Sequence, residues 1–328
     1  MRTHQTRLRV LLAAIAALAL TLGVAACGSS DDSTTSGSTE GGEAGAIQSN
    51  PANGKVSLTV GSKNFPEQEI LGEIYAQALT AAGYKVKSAL NLGSETVALK
   101  AVKTGQISGY PEYASTALTS FFGLEPEEVP SDAAEAWEKA NAEFEKEGLQ
   151  AFEPTPFASA NAVGTTTETA EKYGLKAISD LEGVSEKLSL YGSPECRQRI
   201  DCLAGLESLY GLKFKSFTPV DIGLRYTVLD KGQADLSILF TSDAQLANTN
   251  KYTLLTDDKH VLTPGYPMFI TSQDLVSKAG LDLETTITEV QKDLDLKTIR
   301  ELNARVDLDK QQPSAVAHDY LKSAGFVQ

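Results

Sequence analysis

Beyond the first fifty residues, the apolar positions switch between two periods. Over 55–63, K-V-S-L-T-V-G-S-K alternates and is rich in β-branched residues, which predicts a strand. Pro66 then opens a run in which Ile70, Leu71, Ile74, Tyr75, Ala78 and Leu79 recur at the spacing of one helix face, until Gly83 stops it. The order repeats at once: a strand over 84–92, a helix over 94–104 capped by Ser94 and stopped by Gly105, and a strand over 107–113. An acidic helix is predicted over 131–148, with Ala134, Trp137 and Phe144 as its packing stripe. A second alternating set follows, with strands at 162–166, 188–191, 214–218 and 234–240 and helices at 169–173, 203–210 and 222–230. After Val261 only 268–271 reads as strand, so this helical remainder is expected to pack back on the first unit. The pattern predicts an α/β protein of two lobes, each a mainly parallel sheet flanked by helices. Lobe I covers 55–157 plus 263–328 and lobe II 158–262. Two crossings of the chain join them, an arrangement suited to closing about a hinge.

The first residues follow a different rule. Arg2, Arg7 and Arg9 precede an apolar run over 10–20 that ends in small residues and Cys27, the three-part build of a secretory signal over 1–26. The run falls short of the roughly 20 residues that a membrane span needs. V-A-A-C resembles the lipobox of bacterial lipoproteins, which would make Cys27 the lipidated first residue of the mature chain; the alternative is an uncleaved anchor or an incidental cysteine. The Ser-, Thr-, Gly-, Asp- and Glu-rich stretch over 28–54 has almost nothing to bury and reads, with Cys27, as a disordered tether over 27–54. The expected place is therefore the outer face of the bacterial cell membrane, held there by lipid.

Composition removes whole classes of function. With 41% hydrophobic and 22% charged residues the chain is globular, and its formal charge of −14 repels phosphate backbones, so no nucleic-acid partner is expected. Three Cys and three His cannot build a thiolate cluster or a His-rich zinc site, so no metal and no cofactor are expected. G-x-S-x-G, the P-loop, H-E-x-x-H and C-x-x-C are all missing. His260 and His318 read as surface residues. Cys196 and Cys202, six apart in S-P-E-C-R-Q-R-I-D-C, suit a disulfide in an exported protein. That loop is either a simple staple or a device that positions an arginine.

Two segments fall just beyond the carboxyl ends of predicted strands, where α/β sheets bind ligands: G-S-K-N-F-P-E-Q over 61–68 and G-Y-P-E-Y-A-S-T over 109–116. Lys63 is expected to point its ammonium into a cleft there. These motifs, with A-E-K-Y-G-L-K-A-I-S-D-L over 170–181, Y-G-L-K-F over 210–214, F-T-S-D over 240–243, and D-D-K-H followed by P-G-Y-P over 257–267, carry a resemblance. Together they resemble the substrate-binding lipoproteins of ABC importers for glycine betaine, choline, carnitine and related quaternary-ammonium osmoprotectants, over about 56–326.

The resemblance implies a periplasmic-binding-protein-like fold of type II and a monomer that binds without catalysis. It also implies a permease with a separate ATPase as partners. A trimethylammonium group has no N–H to donate, so aromatic faces must hold it. By motif the cage falls on Tyr113, Phe240 and Tyr266, with Asn161 at a position where relatives carry Tyr; the ligand carboxylate falls to Lys63, Thr116 and Arg199. Thr116 in place of an acid favours carboxylated betaines, with choline as a second ligand. The competing readings are a receptor for a polar amino acid or other small anion, a surface hydrolase, and an adhesive lipoprotein.

Overall fold

The computed structural model describes residues 45–247 and 250–328; the signal segment, Cys27 and the start of the tether lie outside the described residues. In chain order the first elements are β1 (Ser57–Gly61), α1 (Pro66–Ala81), β2 (Lys85–Ala89), α2 (Glu95–Lys103), β3 (Gly109–Tyr113), α3 (Ala114–Thr116), α4 (Ala133–Lys146) and β4 (Leu149–Ala151). Then come β5 (Asn161–Thr166), α5 (Thr167–Tyr173), β6 (Ser189–Gly192), α6 (Leu203–Ser208), β7 (Ser216–Pro219), α7 (Arg225–Asp230), β8 (Leu236–Phe240) and β9 (Tyr252–Leu254). The chain closes with β10 (Pro267–Ser272), α8 (Gln273–Ala279), α9 (Leu281–Gln291), α10 (Leu296–Asp307) and α11 (Pro313–Ser323).

α1 forms where the periodicity places it, with Pro66 in its first turn and Ile70, Leu71, Ile74, Tyr75, Ala78 and Leu79 all buried. Each large apolar side chain withdrawn from water contributes on the order of 1.5–3 kcal/mol. The partners are supplied largely by the C-terminal helices: Leu283, Ile287, Ile299, Leu302, Val316 and Leu321 share one core with Val60 and Leu71. The acidic helix α4 differs in detail, since Ala134 is exposed and the packed face is Ala136, Ala140 and Phe144. Trp137 packs beside it and donates its indole N–H to the Ala151 carbonyl at 2.9 Å.

Two five-stranded sheets result, ordered β2-β1-β3-β10-β4 and β7-β6-β8-β5-β9. They are mixed, each with four strands running one way and one reversed: β1 runs parallel to β2 and β3, but β10 runs antiparallel to β3 and β4. In the second sheet β6 is parallel to β7 and β8, while β5 is antiparallel to β8 and β9. The physical reason lies in the crossings. β5 and β10 each receive the chain from the opposite sheet, so they start at the cleft where β3 and β8 end; Pro267 pairs with Tyr113 and Asn161 with Phe240. The crossings themselves lie side by side, with Ser159 and Gly265 exchanging two backbone hydrogen bonds of 2.8 Å. A Cβ on Gly265 would sit 2.5 Å from Ser115 Oγ and 2.8 Å from Tyr113 Cβ, so only glycine fits this close approach.

The packed body also begins earlier than Lys55. The amide of Ile47 bonds to the Phe326 carbonyl at 3.0 Å, and the buried Asn53 donates to Ala82 O and to Asp282. Asn50 likewise donates to Asp282, at 2.7 Å. The composition of this stretch hides its attachment, because the polar Asn50 and Asn53 do much of the holding, with Ile47 as its one apolar contact to the main core.

Candidate functional site

The ends of β1, β3 and β8 and the start of β5 open on one cleft, between walls contributed by both lobes. Its aromatic part is built by three rings. Phe65 immediately precedes Pro66 at the start of α1, Tyr113 ends β3, and Phe240 ends β8. The Phe65 ring centre lies 6.3 Å from that of Tyr113, with the two planes nearly parallel, and 5.2 Å from that of Phe240. Two protein cations already lie on these faces: the Lys63 ammonium is 4.5 Å from the Tyr113 ring centre, and the Arg225 guanidinium is 3.9 Å from that of Phe240.

Every one of the three cations lining the cleft has its own carboxylate. Buried Lys63 pairs with buried Glu112, Arg225 with Asp243 at 2.9 Å, and Arg199 with Asp201 at 2.7 and 2.5 Å. Arg199 also reaches across to the first lobe, to Thr116 Oγ1 at 3.2 Å and to Glu95 at 3.6 Å. Burial by itself lowers the Arg199 guanidinium, but the carboxylates of Asp201 and Glu95 outweigh it and hold the group above its usual value. The loop that carries Arg199 is fixed by a disulfide between Cys196 and Cys202, whose Cα atoms are 5.1 Å apart and whose side chains are buried in the second lobe's core.

The expected site residues are therefore placed unequally. Lys63, Tyr113, Thr116, Asn161, Arg199 and Phe240 all line the cleft. Lys63 is neutralised by Glu112, so its ammonium is not the free head that the sequence suggests. Asn161 spends its amide N–H on the Asp201 carbonyl at 2.9 Å, fixing the disulfide loop. Tyr266 is not brought to the cleft: its hydroxyl donates to the Ser131 carbonyl at 3.2 Å. The third ring is Phe65 instead. Its place in G-S-K-N-F-P-E-Q, just beyond a strand's carboxyl end where α/β sheets bind ligands, was the available signal. Glu95, Glu112, Asp243 and Arg225 carried no comparable signal, since ion-pair partners far apart in sequence have no local pattern; Asp201 lies only two residues from Arg199, in the stapled loop.

Behind the cleft lies a group of acids. Burial raises the Glu67 carboxyl above its usual value, against hydrogen bonds from Ser242, Tyr113 and Asn303 that lower it. Burial also pushes Asp307, the last residue of α10, up to about 6, with the Asp243 charge adding to the rise and Arg225 and Lys310 opposing it. The folded form thus holds a proton on Asp307 between the usual carboxylate range and pH 6 that the unfolded chain releases. Stability from this residue is greatest at low pH and is lost as pH rises through 6. Asp307→Asn is expected to stabilise the protein at pH 7.5 by up to about 3 kcal/mol and to change little below pH 4. Urea unfolding at the two pH values measures this, and an equal effect at both would contradict the assignment.

Residues 56–323 match the substrate binding domain of the ABC-type glycine betaine transport system. The chain belongs to this family. As a substrate-binding domain of that system, it is 33% identical to a glycine-betaine-binding protein of Pseudomonas aeruginosa over 277 residues, covering 81% of this chain and 87% of that one. It is 27% identical to a carnitine transport binding protein of Listeria monocytogenes, covering 84% and 89% of the two chains. A crystal structure described as a glycine betaine/carnitine/choline ABC transporter superposes with a TM-score of 0.64 at 26% identity, over 81% of this chain and 98% of that one. Members of this family are extracytoplasmic receptors that pass a small solute to a permease. They are transport proteins and not enzymes, and the exposed His260 and His318 fit that role.

Proposed function

We propose that this substrate-binding domain captures quaternary-ammonium solutes, glycine betaine foremost with choline as a second ligand, and delivers them as a monomer to an ABC permease driven by a separate ATPase. The observation that carries the reading is the convergence of Phe65, Tyr113 and Phe240 from both lobes in a cleft whose cations are all paired. A methylated ammonium needs ring faces and no acceptors, and each face contributes on the order of 0.5–2 kcal/mol once water is excluded. A free anion would find no unpaired cation in the lining, which disfavours a small-anion receptor. A ligand carboxylate, carried in by its ring-held ammonium, would have to compete with Glu95 for the Arg199 edge that it now faces at 3.6 Å, the loosest of that guanidinium's contacts. Lipid attachment at Cys27 is part of the same reading, on the strength of V-A-A-C.

One preparation tests both parts. Cys27→Ser should move the protein from the membrane to the soluble fraction, and that soluble form should give calorimetric binding with glycine betaine, carnitine or choline. Heat with amino acids but with none of these would sink the ligand class. Arg199→Ala is expected to weaken glycine betaine at least tenfold more than choline; equal losses would refute its carboxylate role.

A further inference from the structure

Glu67 and Asn303 do not line the cleft, yet they stand directly behind its two opposed aromatic walls. Both are buried, at 4% and 3% exposure. Glu67 sits in the first turn of α1, two residues beyond Phe65, and its Oε1 accepts from the Tyr113 hydroxyl at 2.6 Å. Its Oε2 accepts from Asn303 Nδ2 at 2.8 Å. The same Nδ2 donates at 3.1 Å to the carbonyl of Ser242, in the turn that follows Phe240. That turn belongs to the other lobe. It is held further by Arg300, one turn before Asn303 on α10, which donates to the Thr241 carbonyl at 2.6 Å. It is locked to Phe240 itself by Asp243, which accepts from the Phe240 amide at 2.8 Å. Ser242 Oγ lies 2.7 Å from Ser159 Oγ, on the first of the paired crossings.

The path is continuous from one wall to the other: Tyr113, Glu67, Asn303, Ser242, Phe240. Its polarity is fixed as well. Both N–H groups of Asn303 point at acceptors, while its Oδ1 is buried with no partner. Turning the amide over would set oxygen against a carboxylate and a carbonyl, so the unpaired oxygen is the cost of holding this bridge.

We infer that the Glu67–Asn303 pair is a strut that sets the separation of the Tyr113 and Phe240 walls, and so the size of the ammonium head the cleft accepts. Both are positioning residues, acting on ligand only through the rings. The inference rests on the proposed quaternary-ammonium reading. Asn303→Ala removes the link to both partners. Glu67→Gln keeps an acceptor for Tyr113 but turns an NH2 group toward that of Asn303, so the far arm alone is broken.

The test compares glycine betaine and choline with their N-triethyl counterparts by calorimetry. The wild-type protein is expected to favour the trimethyl head at least tenfold. Asn303→Ala and Glu67→Gln should each shrink that preference fivefold or more, whatever they do to absolute affinity. Tyr75→Phe serves as a stability control, because it removes another buried hydrogen bond in the same lobe, to Gln291, far from the rings; it should lower the melting temperature and leave the preference unchanged. If both strut variants fail to fold, Tyr113→Phe cuts the strut at its first link while keeping the ring, and should narrow the preference likewise. Preferences within twofold of wild type in the variants that fold would overturn the strut. A wild-type protein that binds no quaternary cation would instead overturn the functional reading beneath it.

Discussion

Tyr113→Ala is expected to weaken binding of glycine betaine and choline by roughly 100-fold, close to 3 kcal/mol. The ring is one of the three that line the cleft, and a face turned to a methylated cation is worth on the order of 0.5–2 kcal/mol by itself. Its loss does more than remove that face. The hydroxyl is the donor to Glu67 at 2.6 Å, so the truncation leaves a buried carboxylate with one fewer partner, a further cost of about 1–3 kcal/mol. The Lys63 ammonium also loses the ring on which it rests, 4.5 Å away. Part of this cost falls on folding rather than on binding, so affinity must be measured by calorimetry on protein shown by circular dichroism to be folded. Tyr113→Phe, which keeps the face, should lose less than tenfold. A Tyr113→Ala protein that binds within threefold of wild type would remove this ring from the site.

The second large effect concerns a residue that touches no ligand. A Cβ on Gly205, inside α6, would overlap the carbonyl oxygen of Ile200 and approach Val261 Cγ1 to 2.6 Å. Relief by moving Ile200 is blocked, because the Cys196–Cys202 bridge closes the chain around it. Gly205→Ala is therefore expected to destabilise the fold by about 3 kcal/mol or more, at the upper end for overpacking because backbone rather than a flexible side chain is struck. The same displacement would move Arg199 and Asp201, so carboxylated ligands should suffer more than choline in whatever fraction folds. Denaturant unfolding measures the first effect, and a loss under 1 kcal/mol would mean that the disulfide loop is more pliant than its contacts suggest.

The helices and most strands were legible because their cause is local. Pro66, the apolar stripe from Ile70 to Leu79, and Gly83 with its φ of 101° sit where one-dimensional rules put them. Strand direction was not legible for β5 and β10, because it depends on which sheet the chain has just left. The site divides in the same way. Tyr113, Phe240, Thr116 and Arg199 reach the cleft as their motifs imply, since each lies at or near a strand's end or in the stapled loop. Tyr266 does not, although it is only one residue before β10: at this position the chain turns its small Gly265 toward Tyr113 and leaves the tyrosine outside. The neutralisation of Lys63 could not be read from sequence either, since Glu112 is forty-nine residues away and looks there like an ordinary surface acid.

The pairing of Lys63, Arg199 and Arg225 with Glu112, Asp201 and Asp243 bears on the medium in which capture takes place. Dissolved salt weakens attraction between charges that lie beyond a Debye length, about 8 Å at physiological ionic strength and less in brine. Cations that carboxylates cancel at contact distance offer such screening almost nothing to act on. What remains is the short reach of ring faces, which rising osmolarity does not dilute.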